Sequence, residues 1–483
     1  MHPRCRFVSA WIVSVLLVHG LLYSAPAAES ASKKPFLAGA AAVDATPQEF
    51  PVSMLGSFSD RQATSAHDPL YVRALTLDDG ATRIALAICD NCIVPRDVVE
   101  RAKQRAAKAA GIPEDRLLIA ATHTHTSPNV TQLNDIPADP DYVQLLVEKI
   151  AEAIALANRR LVPARIGWAV ALVPEEVFNR RWHLKQETIG PNPFGGTDRV
   201  RMNPGNSSEL VRPAGPTDPD VSVVSVQTAA GKPLALLANY SLHYVGGVPG
   251  GMLSADYFGE FCREMEKRTA AGQTEPSFVA ILTNGTSGDI NNINFREPRK
   301  PQPPFERIQQ VARRVADAAE QACRQIEYQD HVTLAMATRD ILLGVRKPSP
   351  EELERARQIV ANPTDKSLPP LAEYYARSAI TLSEYPDRTP VTLQAIRIGP
   401  LGIAAIPCEV FVEIGLEIKK RSPFKPTFTI ELANGYSGYL PTPEQHGLGG
   451  YETWRASSSC LEVDASTAIV QTVLELFREA GPK

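Results

Sequence analysis

From about residue 37 onward, short apolar runs rich in Val, Ile, Ala and Leu alternate with longer stretches whose apolar positions recur every three to four residues. The first kind fits buried strands and the second fits amphipathic helices. TRIALAIC (82–89) precedes the helical pattern RDVVERAKQRAAKAAG (96–111), which closes on Gly111. RLLIAAT (116–122) precedes DYVQLLVEKIAEAIALANRR (141–160). Helical periodicity returns at 256–268, at 305–326 and in the last stretch from Asp464. Such alternation predicts an α/β protein, a mixed β-sheet core flanked by helices, in a single large domain. Two stretches depart from the rhythm. Residues 183–216 are rich in Pro, Gly and Asn and are expected to form a long loop near a functional site, because structureless loops of that length are uncommon in compact domains. Residues 345–389 carry the charged helix SPEELERARQIVAN between proline-rich flanks and are expected to be a surface insertion.

Composition narrows the function classes. With 44% hydrophobic residues over 483 positions there is material for a large core. A formal net charge of −4 and no long Lys/Arg block leave no electrostatic basis for a nucleic-acid partner. At the N-terminus, a short basic start, an apolar stretch and small residues around Ala25–Ala28 match a secretory signal peptide over residues 1–28, with the mature chain 29–483 secreted or periplasmic. Six cysteines remain beyond the signal. They are scattered, and Cys89-Asp-Asn-Cys92 lacks the second pair a zinc ribbon requires, so buried thiols or an occasional disulfide are expected.

Five apolar runs end on chemically useful residues: LLIAATHTH, LALLANYSLH, FVAILTNGTSGD, LGIAAIPCE and FTIELANGYSGY. In open α/β sheets ligands bind at the carboxyl ends of strands, where loops converge over a rigid floor. The residues so placed are His123, His125, His243, Asp289, Glu409, Tyr436 and Tyr439. Imidazole and carboxylate from separate strand ends suit Zn²⁺, so a metal site at the strand C-terminal ends is expected. His-x-His would serve it if both side chains share one face of a strand. Singly, each residue has a plainer reading: a surface or core-satisfied histidine pair, a buried His243 bonded to a carbonyl, a Glu409 favoured by a helix dipole, a packed Tyr439.

Taken in order, THTHTSPN, FNRRW, PTDPDVSVVSV, SLHYVGG, GTSGDINNINF, IPCEVFVEIG and NGYSGYLPTPEQHGLGGYET resemble the neutral/alkaline non-lysosomal ceramidases over residues 37–470. The resemblance implies a zinc-dependent hydrolase that cuts ceramide into a fatty acid and a sphingoid base through zinc-activated water. By motif position it implies one Zn²⁺ per chain held by His123, His243, Glu409 and Tyr439, with Tyr439 favoured over Tyr436. It also implies His125 and Arg180 facing the substrate, and Asp289, with Asp90, orienting ligand imidazoles. The partner implied is an N-acyl lipid, with transient contact at a membrane surface; nothing specifies the oligomeric state.

Two departures from the family pattern bear on mechanism. Where a G-D-x-S-P-N segment is usual, this chain reads GDINNI, with Asn291 at the serine position, so no serine acyl-enzyme is expected. The resemblance also ends without the C-terminal β-sandwich domain that follows the tyrosine motif in family members, which leaves the natural amide open. The alternatives are a zinc hydrolase of another acyl amide or ester, and a non-catalytic binding relative.

Overall fold

The computed structural model describes residues 1–2, 9–10 and 34–481, except 58, 133–135, 186–188, 270–276 and 364–366. The signal-peptide stretch therefore falls almost wholly outside the described residues. Residues from Pro35 onward form one compact unit.

Eight strands build the larger sheet: β1 (Leu37–Asp44), β2 (Tyr71–Asp78), β3 (Arg83–Cys89), β4 (Leu117–Ala121), β5 (Val162–Leu172), β6 (Asp220–Thr228), β7 (Pro233–Tyr240) and β8 (Val279–Asn284). Their spatial order is β8-β7-β6-β5-β1-β2-β3-β4. Only β3/β4 and β7/β8 are parallel pairs. A second sheet, in sequential order, holds β9 (Leu334–Gly344), β10 (Arg388–Ile398), β11 (Leu401–Ile406) and β12 (Thr427–Glu431), with β11/β12 parallel. The helices are α1 (Arg96–Ala110), α2 (Pro140–Arg159), α3 (Asp256–Arg268), α4 (Glu306–Cys323), α5 (Pro350–Ala361), α6 (Ala372–Ser383), α7 (Val412–Arg421), α8 (Pro443–Leu448) and α9 (Ala465–Glu479).

The strand period of two assigns the faces. Leu75 and Leu77, Ile84 and Leu86, and Leu118 point toward the second sheet and pack with its Ile396, Ile403 and Phe428. The alternate positions Ala74, Ala87 and Ile119 point outward against Val98 and Val99 of α1 and Leu146 and Ile150 of α2. Farther along the same outer face, α3 and α4 cover Leu236 and Leu282 with Phe258, Phe261 and Val311. On the far side α7 and α9 cover Leu393 and Ile406 with Ile414, Ile469 and Phe477. This unit is thus layered helix, sheet, sheet, helix. The expected mixed β core with flanking helices is present, divided between two facing sheets.

The segment expected as a plain loop at 183–216 carries structure of its own. Arg181–Leu184, Val200–Met202 and Leu210–Pro213 form a three-stranded antiparallel sheet. The 345–389 segment folds into a helical hairpin of α5 and α6. Ser349 caps α5 in a capping box with Glu352, and only Ala356 of α5 is buried, as a surface helix requires.

Candidate functional site

The C-terminal ends of β4, β7, β8, β11 and β12 deliver their polar residues to one place. Contacts that join the sheets there include Ala121 N donating to Leu432 O (3.2 Å) at the ends of β4 and β12, and Asn239 Nδ2 donating to Thr429 O (3.0 Å) between β7 and β12. His123, His243 and Glu409 are at most 3% exposed. Their ligand-capable atoms all lie within 4.8 Å of one another.

His123 and His125 do not sit on a strand face. β4 ends at Ala121, and His123 takes the left-handed backbone, φ 79°. Histidine tolerates that region better than bulkier residues, yet it costs about 1–2 kcal/mol. The turn aims both rings at the same point, with Nε2 to Nε2 3.1 Å.

Each imidazole is fixed from behind by a backbone carbonyl. His123 Nδ1 is 2.7 Å from Cys92 O, His125 Nδ1 is 3.1 Å from Gly56 O, and His243 Nδ1 is 3.1 Å from Ser287 O. A carbonyl only accepts, so each Nδ1 carries a proton; Nε2 of His125 and His243 then presents a lone pair, and Nε2 of His123 does so once a metal ion displaces the second proton that Glu409 stabilises there. His123 Nε2 then faces the Nε2 of both His125 and His243 at 3.1 Å, and Glu409 Oε2 lies 3.3 Å from His123 Nε2 and 3.9 Å from His243 Nε2. Glu409 Oε2 is buried and has no hydrogen-bond partner. Lone pairs and a desolvated carboxylate oxygen crowded together repel unless a cation sits among them. Two donors about 2 Å from a tetrahedral ion are about 3.3 Å apart, which matches this spacing.

The electrostatics agree. Burial pushes the His123 imidazolium down, but Cys92 and Glu409 together outweigh it and raise its pKa well above the ordinary value. Burial, and then the neighbouring His123, hold His125 and His243 well below it. Burial alone would raise Glu409, yet His123, Arg180 and the Tyr439 hydroxyl bring it below the usual carboxylate range. The position between His123 and Glu409 is therefore one where a positive charge is stabilised.

Glu409 and Tyr439 are aligned across a short parallel bridge, Glu409–Val410 beside Tyr439–Leu440. Arg180 Nη2 donates to the Tyr439 hydroxyl (3.1 Å) and to Gly288 O (2.8 Å), and its Nε donates to Glu452 Oε1 (2.9 Å). Tyr436 also belongs here: its hydroxyl donates to Glu409 Oε1 at 2.9 Å.

Two expected roles are corrected. Asp289 does not touch an imidazole. Its Oδ1 accepts from Val412 N (2.9 Å), its Oδ2 accepts from Asn179 Nδ2 (2.6 Å), and its carbonyl accepts from Arg180 N (2.8 Å). It clamps the Arg180 segment to the start of α7, and burial pushes its carboxyl up to about 7. Asp90 pairs with Arg73 Nη1 (2.6 Å) and accepts from Tyr71 N (2.9 Å), bracing the turn that carries the Cys92 carbonyl. Carbonyls do the orienting instead, a role no sequence pattern displays. The residue behind His243 is Glu431: Ser287 Oγ donates to Glu431 Oε1 (2.6 Å), while the Ser287 carbonyl holds the ring. Burial pushes the Glu431 carboxyl up to about 8 against the hydrogen bonds from Ser287. The available signal was a glutamate closing the apolar run FTIE. Asn291 is not directed at the centre: its Nδ2 donates to Asn203 Oδ1 at 2.8 Å. All six cysteines beyond the N-terminal segment are free thiols.

The centre opens into a cavity of about 450 Å³. Its walls include Met202 and Asn203 of the 183–216 segment, and Tyr374, Tyr385 and Thr389 of the 345–389 segment. The supposed surface insertion therefore forms part of the site. A larger cavity of about 870 Å³ lies beside Val245–Gly247 and Arg299, but none of the convergent donors lines it.

Residues 36–299 match the family model for neutral/alkaline non-lysosomal ceramidase, N-terminal. The chain is 22% identical over 518 aligned positions to the neutral ceramidase of Mycobacterium tuberculosis, covering 92% of this chain and 77% of that protein. Its fold is similar to the crystal structure of neutral ceramidase from Pseudomonas aeruginosa, with a TM-score of 0.71 at 19% identity over 93% of this chain and 75% of that one. It is similarly close to a ceramidase complexed with C2, with a TM-score of 0.70. The family match takes in His123, Arg180 and His243, and the structural likeness carries the same architecture through most of the chain, so the protein belongs to the neutral/alkaline non-lysosomal ceramidase family.

Proposed function

We propose that the chain is a zinc hydrolase that cleaves the amide between an acyl group and an amino alcohol. The observation that carries this is the convergence of imidazole lone pairs with the unpartnered Glu409 Oε2. His123, His243 and Glu409, with Tyr439 beside Glu409, would hold the ion. When bound, Zn²⁺ supplies Lewis acidity to a carbonyl oxygen and to water.

The chain's own groups do the rest. His125 is neutral at physiological pH and its Nδ1 is tied to Gly56 O, so Nε2 accepts the proton of the attacking water and returns it to the leaving nitrogen. The oxygen–carbon bond forms, the carbon–nitrogen bond breaks, and the amine leaves with that proton. Arg180, its guanidinium fixed by Glu452 and Gly288, places positive charge where the carbonyl oxygen becomes negative.

The test is metal analysis of purified protein followed by an assay on N-acyl amides. His123→Ala should lose metal and turnover together. His125→Ala should keep the metal and lose about 10²–10⁴ of the rate. Asn291→Ala should retain much of the hydrolysis, and a covalent acyl adduct trapped on any side chain would overturn this route. Residues 1–28 are proposed to be a signal peptide and 29–483 the exported hydrolase; N-terminal sequencing of the secreted protein tests that.

A further inference from the structure

Resting on that hydrolase reading, we infer that Tyr244 is the positioning residue for His125, its ring holding the imidazole plane so that Nε2 meets the attacking water. A single hydrogen bond does not orient an imidazole. The contact from His125 Nδ1 to Gly56 O sets one edge of the ring and leaves the plane able to swing about that line. Tyr244 removes that freedom. The two rings are stacked, with centroids 3.8 Å apart and planes 19° from parallel. Turning the imidazole away from this arrangement gives up the face-to-face contact or drives a ring edge into the phenol. Edge and plane together fix where Nε2 points, and a proton-transferring group acts only from a narrow range of positions.

The backbone that places Tyr244 is the one that places His243. Tyr244 follows that histidine directly, and its ring lies tilted against the imidazole with centroids 5.5 Å apart. Just beyond it, Val245 N and Gly246 N each donate to the Asp256 carboxylate (2.9 Å), which pins the loop to the start of α3. Gly246 has φ 76°, and a Cβ there would stand 3.3 Å from Tyr244 Cε2, so the glycine leaves the ring its place. His125 comes from the end of β4 and His243 from the end of β7. The Tyr244 ring touches both imidazoles, and so holds the proton acceptor in register with the donors that would hold the ion. It also lines the catalytic cavity, which makes a simple role as substrate wall the reading to be separated from this one.

The experiment measures kcat, KM and zinc content of the zinc-loaded chain and its variants on N-acetylsphingosine in detergent micelles. Tyr244→Leu should lower kcat by about tenfold or more, with KM within about threefold and zinc content unchanged, because a displaced proton acceptor costs rate and not binding. Tyr244→Phe, which keeps the ring, should recover kcat to within about threefold of the parent. NMR of histidine-labelled protein gives a readout that needs no turnover. The His125 signals, identified by their absence from His125→Ala, should lie upfield under the tyrosine ring, remain there in Tyr244→Phe and move downfield in Tyr244→Leu. An unchanged kcat in Tyr244→Leu would overturn the inference, and so would a rise in KM at constant kcat, which would make the ring a substrate wall. Loss of zinc from Tyr244→Leu would also overturn it and assign the ring to holding His243. No turnover by the zinc-loaded parent, with the His125 signals shifting as expected, would remove the hydrolase reading itself and leave only the ring contact.

Discussion

At Gly56 a single missing side chain sets the position of His125. The glycine has φ 101°, and a Cβ there would stand 2.7 Å from the His125 ring. Gly56→Ala should therefore displace the ring and lower kcat by about tenfold or more with metal content unchanged, as zinc analysis beside the assay will show. Glu452 acts on Arg180 in a similar way. Fully buried, it accepts from Arg180 Nε and from Arg181 Nη1 (2.7 Å), so one carboxylate balances two guanidinium groups. Glu452→Gln keeps the shape but leaves the pair short of one charge, and should cut kcat/KM by about 10–100-fold and cost about 3 kcal/mol or more of stability. Combined with Arg180→Lys, its kinetic effect should be less than additive, because both changes act through one guanidinium. These residues divide what was legible from what was not. His123, His243 and Glu409 declare themselves by residue type at strand ends, and Arg180 only through the family resemblance. Gly56, Ser287 and Glu431 act through where they stand. Asp289 has the right chemistry, but its carboxylate turns toward Val412 and Asn179, and side-chain direction is not written in residue order.

At the scale of elements, helices were the most legible, since an apolar stripe at three-to-four spacing survives on any surface helix. The strands were legible as apolar runs, but not their division into two sheets. β2, β3 and β4 are buried on both faces, so alternation is masked and the pattern equals that of a parallel sheet under helices. The start of α3 makes a prediction at this scale. Asp256 accepts from Val245 N and Gly246 N (2.9 Å each) and from Tyr257 N (2.7 Å), pinning the chain that follows His243. Burial pushes its carboxyl up to about 6 against those three bonds. Between the ordinary value of about 4 and about 6, the folded chain holds this proton and the unfolded chain does not. Stability therefore falls as pH rises across that window, by about 3 kcal/mol at most from this group, and is flat above it. Asp256→Asn should flatten that part of the profile, seen as a smaller change in denaturation midpoint between pH 4 and pH 6.5 in the variant than in the parent.

In the molecule as a whole, two sheets whose strand ends meet form a floor rigid enough to hold three imidazoles and a carboxylate against one another. β4 and β7 belong to the large sheet and β11 to the small one, so His123, His243 and Glu409 cannot separate without parting the facing sheets. That rigidity ties metal occupancy to global stability, because the unfolded chain scatters the same donors. A ligand that binds only the folded state adds RT ln(1 + [L]/Kd), about 2.7 kcal/mol at a hundred times Kd. A chelator should lower the thermal midpoint of the parent protein by several degrees, and added Zn²⁺ should restore it. His243→Ala should have one midpoint in all three conditions, since the response requires the donor it lacks. Ordinary core damage would instead lower every midpoint of the variant and leave its response to Zn²⁺ intact, so calorimetry of both proteins with chelator and with Zn²⁺ separates a metal ligand from a merely packed histidine.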